Sequence, residues 1–249
     1  MPRSLSYLPE DALSLDTLAL DVLPDDAHLS LEASRQYCRH LATGHYENFT
    51  VVSWLLPKPL QPHFYNVYAY CRWSDDLADE IDDPVRSVKL LDWWDGELQA
   101  CYEGHPHHPV FIALEETIHN FDIPITPFRD LLTAFRQDQV VQRYETYETL
   151  LDYCRCSANP VGLLVLYLCG YRDEERQQLS DATCTGLQLA NFWQDVSVDL
   201  GKGRIYLPLE DLDRFDFNES DLHARIVTDR FADLIRFEVD RTRALFDIG

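Results

Sequence analysis

Two acidic runs in this sequence have the spacing that brings carboxylates together around a cation. In YAYCRWSDDLADEIDD, from Tyr68 to Asp83, Asp75 and Asp79 stand four residues apart, as do Asp76 and Glu80. On a helix each pair shares a face, and like charges at that spacing cost an isolated helix a few tenths of a kcal/mol. A divalent cation would offset the repulsion; a solvated acidic face in so acidic a chain accounts for it equally. The second run, LQLANFWQDVSVDLGKGRIYLP, repeats the device with Asp195 and Asp199, and Gln188 and Asn191 extend the same stripe toward the N-terminus. Core-like Leu187, Leu189, Phe192 and Trp193 flank that stripe. Partly buried carboxylates need partners, and Mg²⁺ takes a few carboxylates, several waters and phosphate oxygens. Two facing acidic helices bracketing a diphosphate would meet that need. Arg72, Lys202 and Arg204 are either further counter-charges for the phosphates or ordinary surface cations.

The elements that must position these groups are helices. From Asp25 onward the apolar residues recur mainly at helical spacing, as in Phe64, Val67, Tyr68 and Cys71, and alternating strand patterns are scarce. Prolines and glycines at 57–62, 84, 104–109, 124–127, 170 and 201–203 punctuate the chain. The expectation is an all-α, single-domain fold over residues 25–249, of about eight or nine helices, preceded over residues 1–24 by a tail or a loosely packed arm. No repeat of solenoid length is visible.

Composition narrows the function. With 43 Asp and Glu against 21 Lys and Arg the net charge is −22, which repels nucleic acid and anionic lipid surfaces. Seven cysteines form no CxxC pair or zinc-like cluster and read as reduced thiols of a cytoplasmic protein. The N-terminus lacks the pattern of a secretory signal. The longest apolar run, Val161 to Tyr171, is about half of the ~20 residues a membrane span needs and reads as a buried helix. Membrane contact is therefore expected to be at most peripheral, at the inner face.

Taken together the two acidic segments resemble the paired aspartate-rich motifs of the squalene and phytoene synthase family, head-to-head isoprenoid synthases of all-α fold with a central cavity between helices. HYENFTVVSWLLP, CRCSANPVG and the run from Asn191 to Pro208 add further points of similarity, so that the resemblance extends from about His45 to Pro208. Within the family, ENFTVVSWLLP and NFWQDVSVD are most similar to the hydroxysqualene synthase branch of bacterial hopanoid synthesis. Gln194 stands where condensing members usually carry an arginine directly before the aspartate.

The resemblance implies that Asp75, Asp76 and Asp79 bind one side of a Mg²⁺ and diphosphate cluster, with Asn191, Asp195 and Asp199 on the other. It implies that Tyr68, Arg72, Arg204 and Tyr206 contact the diphosphate or close its pocket. Phe49, Val161, Gly162 and Gln188 would line the cavity, with core packing an equal account of Phe49, Val161 and Gly162. The substrate would be a lipophilic prenyl diphosphate: presqualene diphosphate ionises, rearranges and takes up water to give hydroxysqualene. No nicotinamide cofactor is expected, and no GxGxxG follows a strand. Squalene or phytoene synthesis, and a non-catalytic binding protein on the same fold, stand as alternatives. The family usually continues for further helices beyond RFEVDRTRALFDIG, so a truncated form is expected. HPHHP, His105 to Pro109, reads as an exposed loop, and Trp93, Trp94 and Tyr102 as core or interface aromatics.

Overall fold

The computed structural model describes residues 4–9, 12, 22–44, 56–225 and 227–249. Among these residues there are twelve helices and no strand, only an isolated bridge between Arg143 and Ile205. The all-α expectation holds. The helix number exceeds the expected eight or nine because three helices are only five or six residues long, too short to leave a periodic signature. Backbone proximity divides the chain into two compact units, one within residues 1–139 and 167–171, the other within 140–166 and 172–249.

The first unit contains α1 (Leu31–Gly44), α2 (Gln61–Asp79), α3 (Pro84–Tyr102), α4 (Pro109–Phe121) and α5 (Thr126–Asp138). Helix α2 packs against the other four and is the hub of the unit. Eleven of its 19 residues are buried, which is why its sequence is apolar on more than one face. The prolines that punctuate the sequence open helices: Pro62, Pro84, Pro109 and Pro127 occupy first or second helical positions, where a missing N–H costs nothing. Trp73 of α2 stacks on Trp94 of α3 with centroids 5.1 Å apart, so the expected core role of Trp94 holds. Their indole N–H groups donate to Tyr37 Oη at 2.9 Å and to Ser74 Oγ at 3.0 Å.

Two expectations fail in this unit. His108 is fully buried, not part of an exposed loop: its Nδ1 accepts from the Val110 N–H at 3.2 Å and caps α4. Burial holds its pKa well below the usual value, and the neutral ring sits edge-on to Trp73 and Trp94. The described part of the N-terminal tail is not loose either. Leu8, Ala12 and Leu23 are buried, and Asp26 accepts from Ser4 Oγ at 2.7 Å and from the Ser6 N–H at 3.0 Å.

The second unit is built on α8 (Glu174–Gln194), preceded by α6 (Tyr147–Ser157) and by α7 (Asn159–Leu168) up to residue 166, and followed by α9 (Val196–Gly201), α10 (Leu209–Arg214), α11 (Glu219–His223) and α12 (Asp229–Phe246). Helix α8 packs against α6, α9 and α12. Side-chain caps start α6, α8, α11 and α12 at Thr146, Asp173, Asn218 and Thr228. Trp193 Nε1 donates to Thr242 Oγ1 at 2.8 Å, and Arg241 bridges Asp211 and Glu238 while lying over the ring of Tyr147. The run from Val161 is less buried than its composition suggests, since Val161 and Val165 are exposed. Among the described residues no helix is long and apolar enough to cross a membrane.

Candidate functional site

The first acidic set lies in the last turns of α2, the hub of its unit. Asp75 is half-exposed, Asp79 exposed, and Asp76 only 1% exposed. The residues therefore divide: Asp75 and Asp79 share an open face, whereas Asp76 points inward against Arg72. Arg72 Nη2 lies 2.6 Å from Asp76 Oδ1, and its Nε donates to Oδ2 at 3.0 Å; Nη1 is 3.7 Å from Asp75. Partial burial, reinforced by the charge of Asp79, pushes the Asp75 carboxyl up to about 6. Tyr68 is partly buried on the same helix.

This helix end is held by side chains. Ser87 Oγ donates to the Leu77 carbonyl at 2.7 Å, and Gln139 Nε2 to the Ala78 carbonyl at 3.1 Å. They cap orphan carbonyls at the negative end of the helix dipole, where Asp75 and Asp79 add further negative charge.

The second set occupies the equivalent end of the other hub. The stripe Gln188, Asn191, Asp195, Asp199 does not lie on one uninterrupted helix, since α8 ends at Gln194 and Asp195 is its C-cap. The hydrogen-bond ladder nevertheless continues across the junction. The Asp195 N–H donates to the Asn191 carbonyl and the Asp199 N–H to the Asp195 carbonyl, both at 2.9 Å, so the four-residue spacing is kept. Burial and the neighbouring Asp195 charge raise the Asp199 pKa, against the opposing pull of Lys202 and Arg204. Gly203, at φ +77°, lets the chain turn back, and the Arg204 N–H closes on the Asp199 carbonyl at 2.9 Å.

Beyond that turn Tyr206 lies flat on Phe192, and Tyr144 and Tyr153 lie near it in an aromatic cluster. Phe192, Asp199, Arg204 and Tyr206 border one small cavity. Phe192 is not among the site residues the sequence suggests, because an aromatic at a core-like helical position carries no signal that separates a cavity wall from packing. Gln188 is partly buried and Asn191 exposed on the same helix.

The remaining expected cavity residues are placed differently. A Cβ at Gly162 would come within 2.6 Å of Cys184 Sγ, so this glycine allows α7 to cross closely over α8. Val161 is 42% exposed. Phe49 lies outside the described residues, as does most of HYENFTVVSWLLP.

Among the described residues no group of three or more His, Cys, Asp or Glu could hold a metal ion. Each carboxylate pair, Asp75 with Asp79 and Asp195 with Asp199, is an oxygen-donor set of the kind that could serve a divalent ion whose remaining shell is water and phosphate oxygens.

The fold is that of an all-α protein with paired aspartates, one pair at the end of a hub helix and the other at the junction that follows the second hub helix. The chain belongs to the squalene/phytoene synthase family, whose family model, described as squalene/phytoene synthase, matches residues 42–249. It is 33% identical over 230 residues to the 15-cis-phytoene synthase of Synechocystis sp., covering 88% of this chain and 68% of that protein. It is 32% identical over 229 residues to the phytoene synthase of Arthrospira platensis, covering 87% and 74%. Among solved structures it resembles squalene synthase HpnC from Alicyclobacillus acidocaldarius, with TM-score 0.85, 45% identity, and coverage of 94% of this chain and 86% of that one. A dehydrosqualene synthase solved in complex with ligand gives TM-score 0.75 and 29% identity, over 88% of this chain and 76% of that one. The family is one of head-to-head prenyl diphosphate enzymes that use a divalent metal to ionise the diphosphate.

Proposed function

We propose that this protein converts presqualene diphosphate and water to hydroxysqualene and diphosphate, with Mg²⁺ as the divalent ion. The observation that carries the reading is the placement of two carboxylate pairs, Asp75 with Asp79 in the last turns of α2, and Asp195 with Asp199 across the junction of α8 and α9. As the family resemblance implies, Asp75, Asp79, Asn191, Asp195 and Asp199 would be the residues that hold Mg²⁺ and the diphosphate. Bound Mg²⁺ would supply Lewis-acid neutralisation of the leaving diphosphate.

The protein's own groups do the rest. Arg72 and Arg204 offer guanidinium donors to the phosphate oxygens, and Tyr68 and Tyr206 would border the same group. Aromatic rings beside the substrate would favour positive charge developing on the hydrocarbon, and Gln188 or Asn191 would hold the attacking water. The carbon–oxygen bond breaks with its electron pair leaving on the diphosphate. The water oxygen then bonds to carbon, and its proton passes to solvent. No redox change occurs, so no nicotinamide is consumed. Gln194 before Asp195 and the likeness to HpnC support this branch. Action on a lipid substrate fits a cytoplasmic protein that touches the membrane only at its inner face.

The experiment is incubation with presqualene diphosphate and Mg²⁺ in labelled water, without reductant. Hydroxysqualene carrying the label is the expected product. The phytoene synthases among its relatives favour a second reading, condensation of two prenyl diphosphates. Phytoene from geranylgeranyl diphosphate, or squalene formed only with a reductant, would move the protein to that branch.

A further inference from the structure

We infer that Asp76 is not a metal ligand of the acidic run but the positioning residue of Arg72: it draws the guanidinium closer to itself than to Asp75, which limits the Arg72–Asp75 ion pair and leaves Asp75 to the cation and Arg72 to the diphosphate. This rests on the reading proposed above. The helical spacing makes Asp75 with Asp79 and Asp76 with Glu80 equivalent pairs. Packing of α2 as a hub separates them, because Asp76 is 1% exposed and Asp75 half-exposed.

Arg72 meets Asp76 with two of its nitrogens, Nη2 at 2.6 Å from Oδ1 and Nε at 3.0 Å from Oδ2, and approaches Asp75 no nearer than 3.7 Å. A two-point guanidinium–carboxylate contact fixes the plane of the fork, which a single contact does not. Oδ2 of Asp76 accepts a hydrogen bond from Arg72, and Oδ1 lies in ion-pair contact with it but accepts no hydrogen bond, so the charge of Asp76 is spent on Arg72. Without the Asp76 charge, the nearest anion to Arg72 is Asp75, and closure of Arg72 on Asp75 would neutralise a carboxylate of the open pair.

A double-mutant cycle separates this from direct ligation. Mn²⁺ alone is titrated into the full chain and followed by its electron paramagnetic resonance; inorganic diphosphate is titrated separately in metal-free buffer by calorimetry. Asp75→Asn and Asp76→Asn should each weaken Mn²⁺ binding by about tenfold, a change of about 1.4 kcal/mol. The double variant Arg72→Met with Asp76→Asn should return to within about threefold of wild type, since the two effects are coupled through one contact. It also replaces a buried ion pair by a neutral pair, a change usually tolerated by the fold, so the test stands even where Asp76→Asn alone does not fold. Diphosphate affinity should fall equally in Arg72→Met and in the double variant.

A double variant that binds Mn²⁺ as poorly as Asp75→Asn makes Asp76 a ligand and overturns the inference, as does a further loss of diphosphate affinity beyond that of Arg72→Met. Wild-type protein that takes up diphosphate but no Mn²⁺ sinks the metal reading alone, and the diphosphate measurements then decide the role of Asp76. Failure to bind either probe overturns both.

Discussion

The ring of Tyr206 lies 3.8 Å from that of Phe192, centroid to centroid, with the two planes 7° from parallel. Phe192 follows Asn191 on the hub helix α8, and Tyr206 comes two residues after Arg204, so this one stack ties the returning segment to the helix that carries the second acidic set. The segment is also fixed by its backbone, with the Ile205 N–H donating to the Gln142 carbonyl at 3.0 Å.

Removing the stack should cost stability and geometry together. Phe192→Ala is expected to destabilise the protein by about 3 kcal/mol or more, the usual loss for a buried phenylalanine. Tyr206→Phe keeps the ring and should stay near wild type. Urea unfolding of both variants checks this, and equal midpoints for the two would contradict a structural role for the stack.

Gly162 should tolerate no side chain without relief elsewhere. Gly162→Ala is expected to cost about 1–3 kcal/mol, because the new methyl meets Ser180 and Cys184. Combining it with Ser180→Ala and Cys184→Ala should recover most of the loss in thermal melts. A single variant as stable as wild type would mean that α7 and α8 have room to separate.

Asp195→Asn is expected to lower diphosphate release from the substrate by about a hundredfold or more, as loss of a charge-stabilising group does. Its melting temperature should be unchanged or raised, since a like charge is removed from the negative end of α8. Wild-type turnover at limiting Mg²⁺ would take Asp195 out of the site.

Glu238 should give stability a measurable pH dependence. Burial pushes its carboxyl up to about 7 against the opposing pull of Arg241, with Asp211 facing it from α10. Between the unfolded value of 4.5 and the folded value of about 7, the native state holds a proton that the unfolded chain has lost. Stability is therefore fully present below that window and declines as pH rises through it, by an amount on the order of 3 kcal/mol. Glu238→Gln should flatten the decline. Urea midpoints measured from pH 5 to 8 test this, and parallel curves for the two proteins would rule it out.

What was legible in the sequence was periodic or chemical. Helical spacing of apolar residues gave the all-α class, and four-residue spacing of carboxylates pointed to α2 and to the α8–α9 junction. The motifs around Asp75 and Asp195 carried the family. Spacing has no sense of inside and outside when both candidate pairs repeat every four residues, so nothing local distinguished Asp76 from Asp75. Only the packing of four helices around α2 turned Asp76 and Arg72 inward. In the same way the sequence placed His108 in a polar, proline-flanked loop, while the surrounding tryptophans made it a buried helix cap. The break at Asp195 was hidden because its hydrogen-bond ladder continues. The reason is common to all three: periodicity is a property of neighbouring residues, whereas desolvation depends on which distant helices close over a side chain.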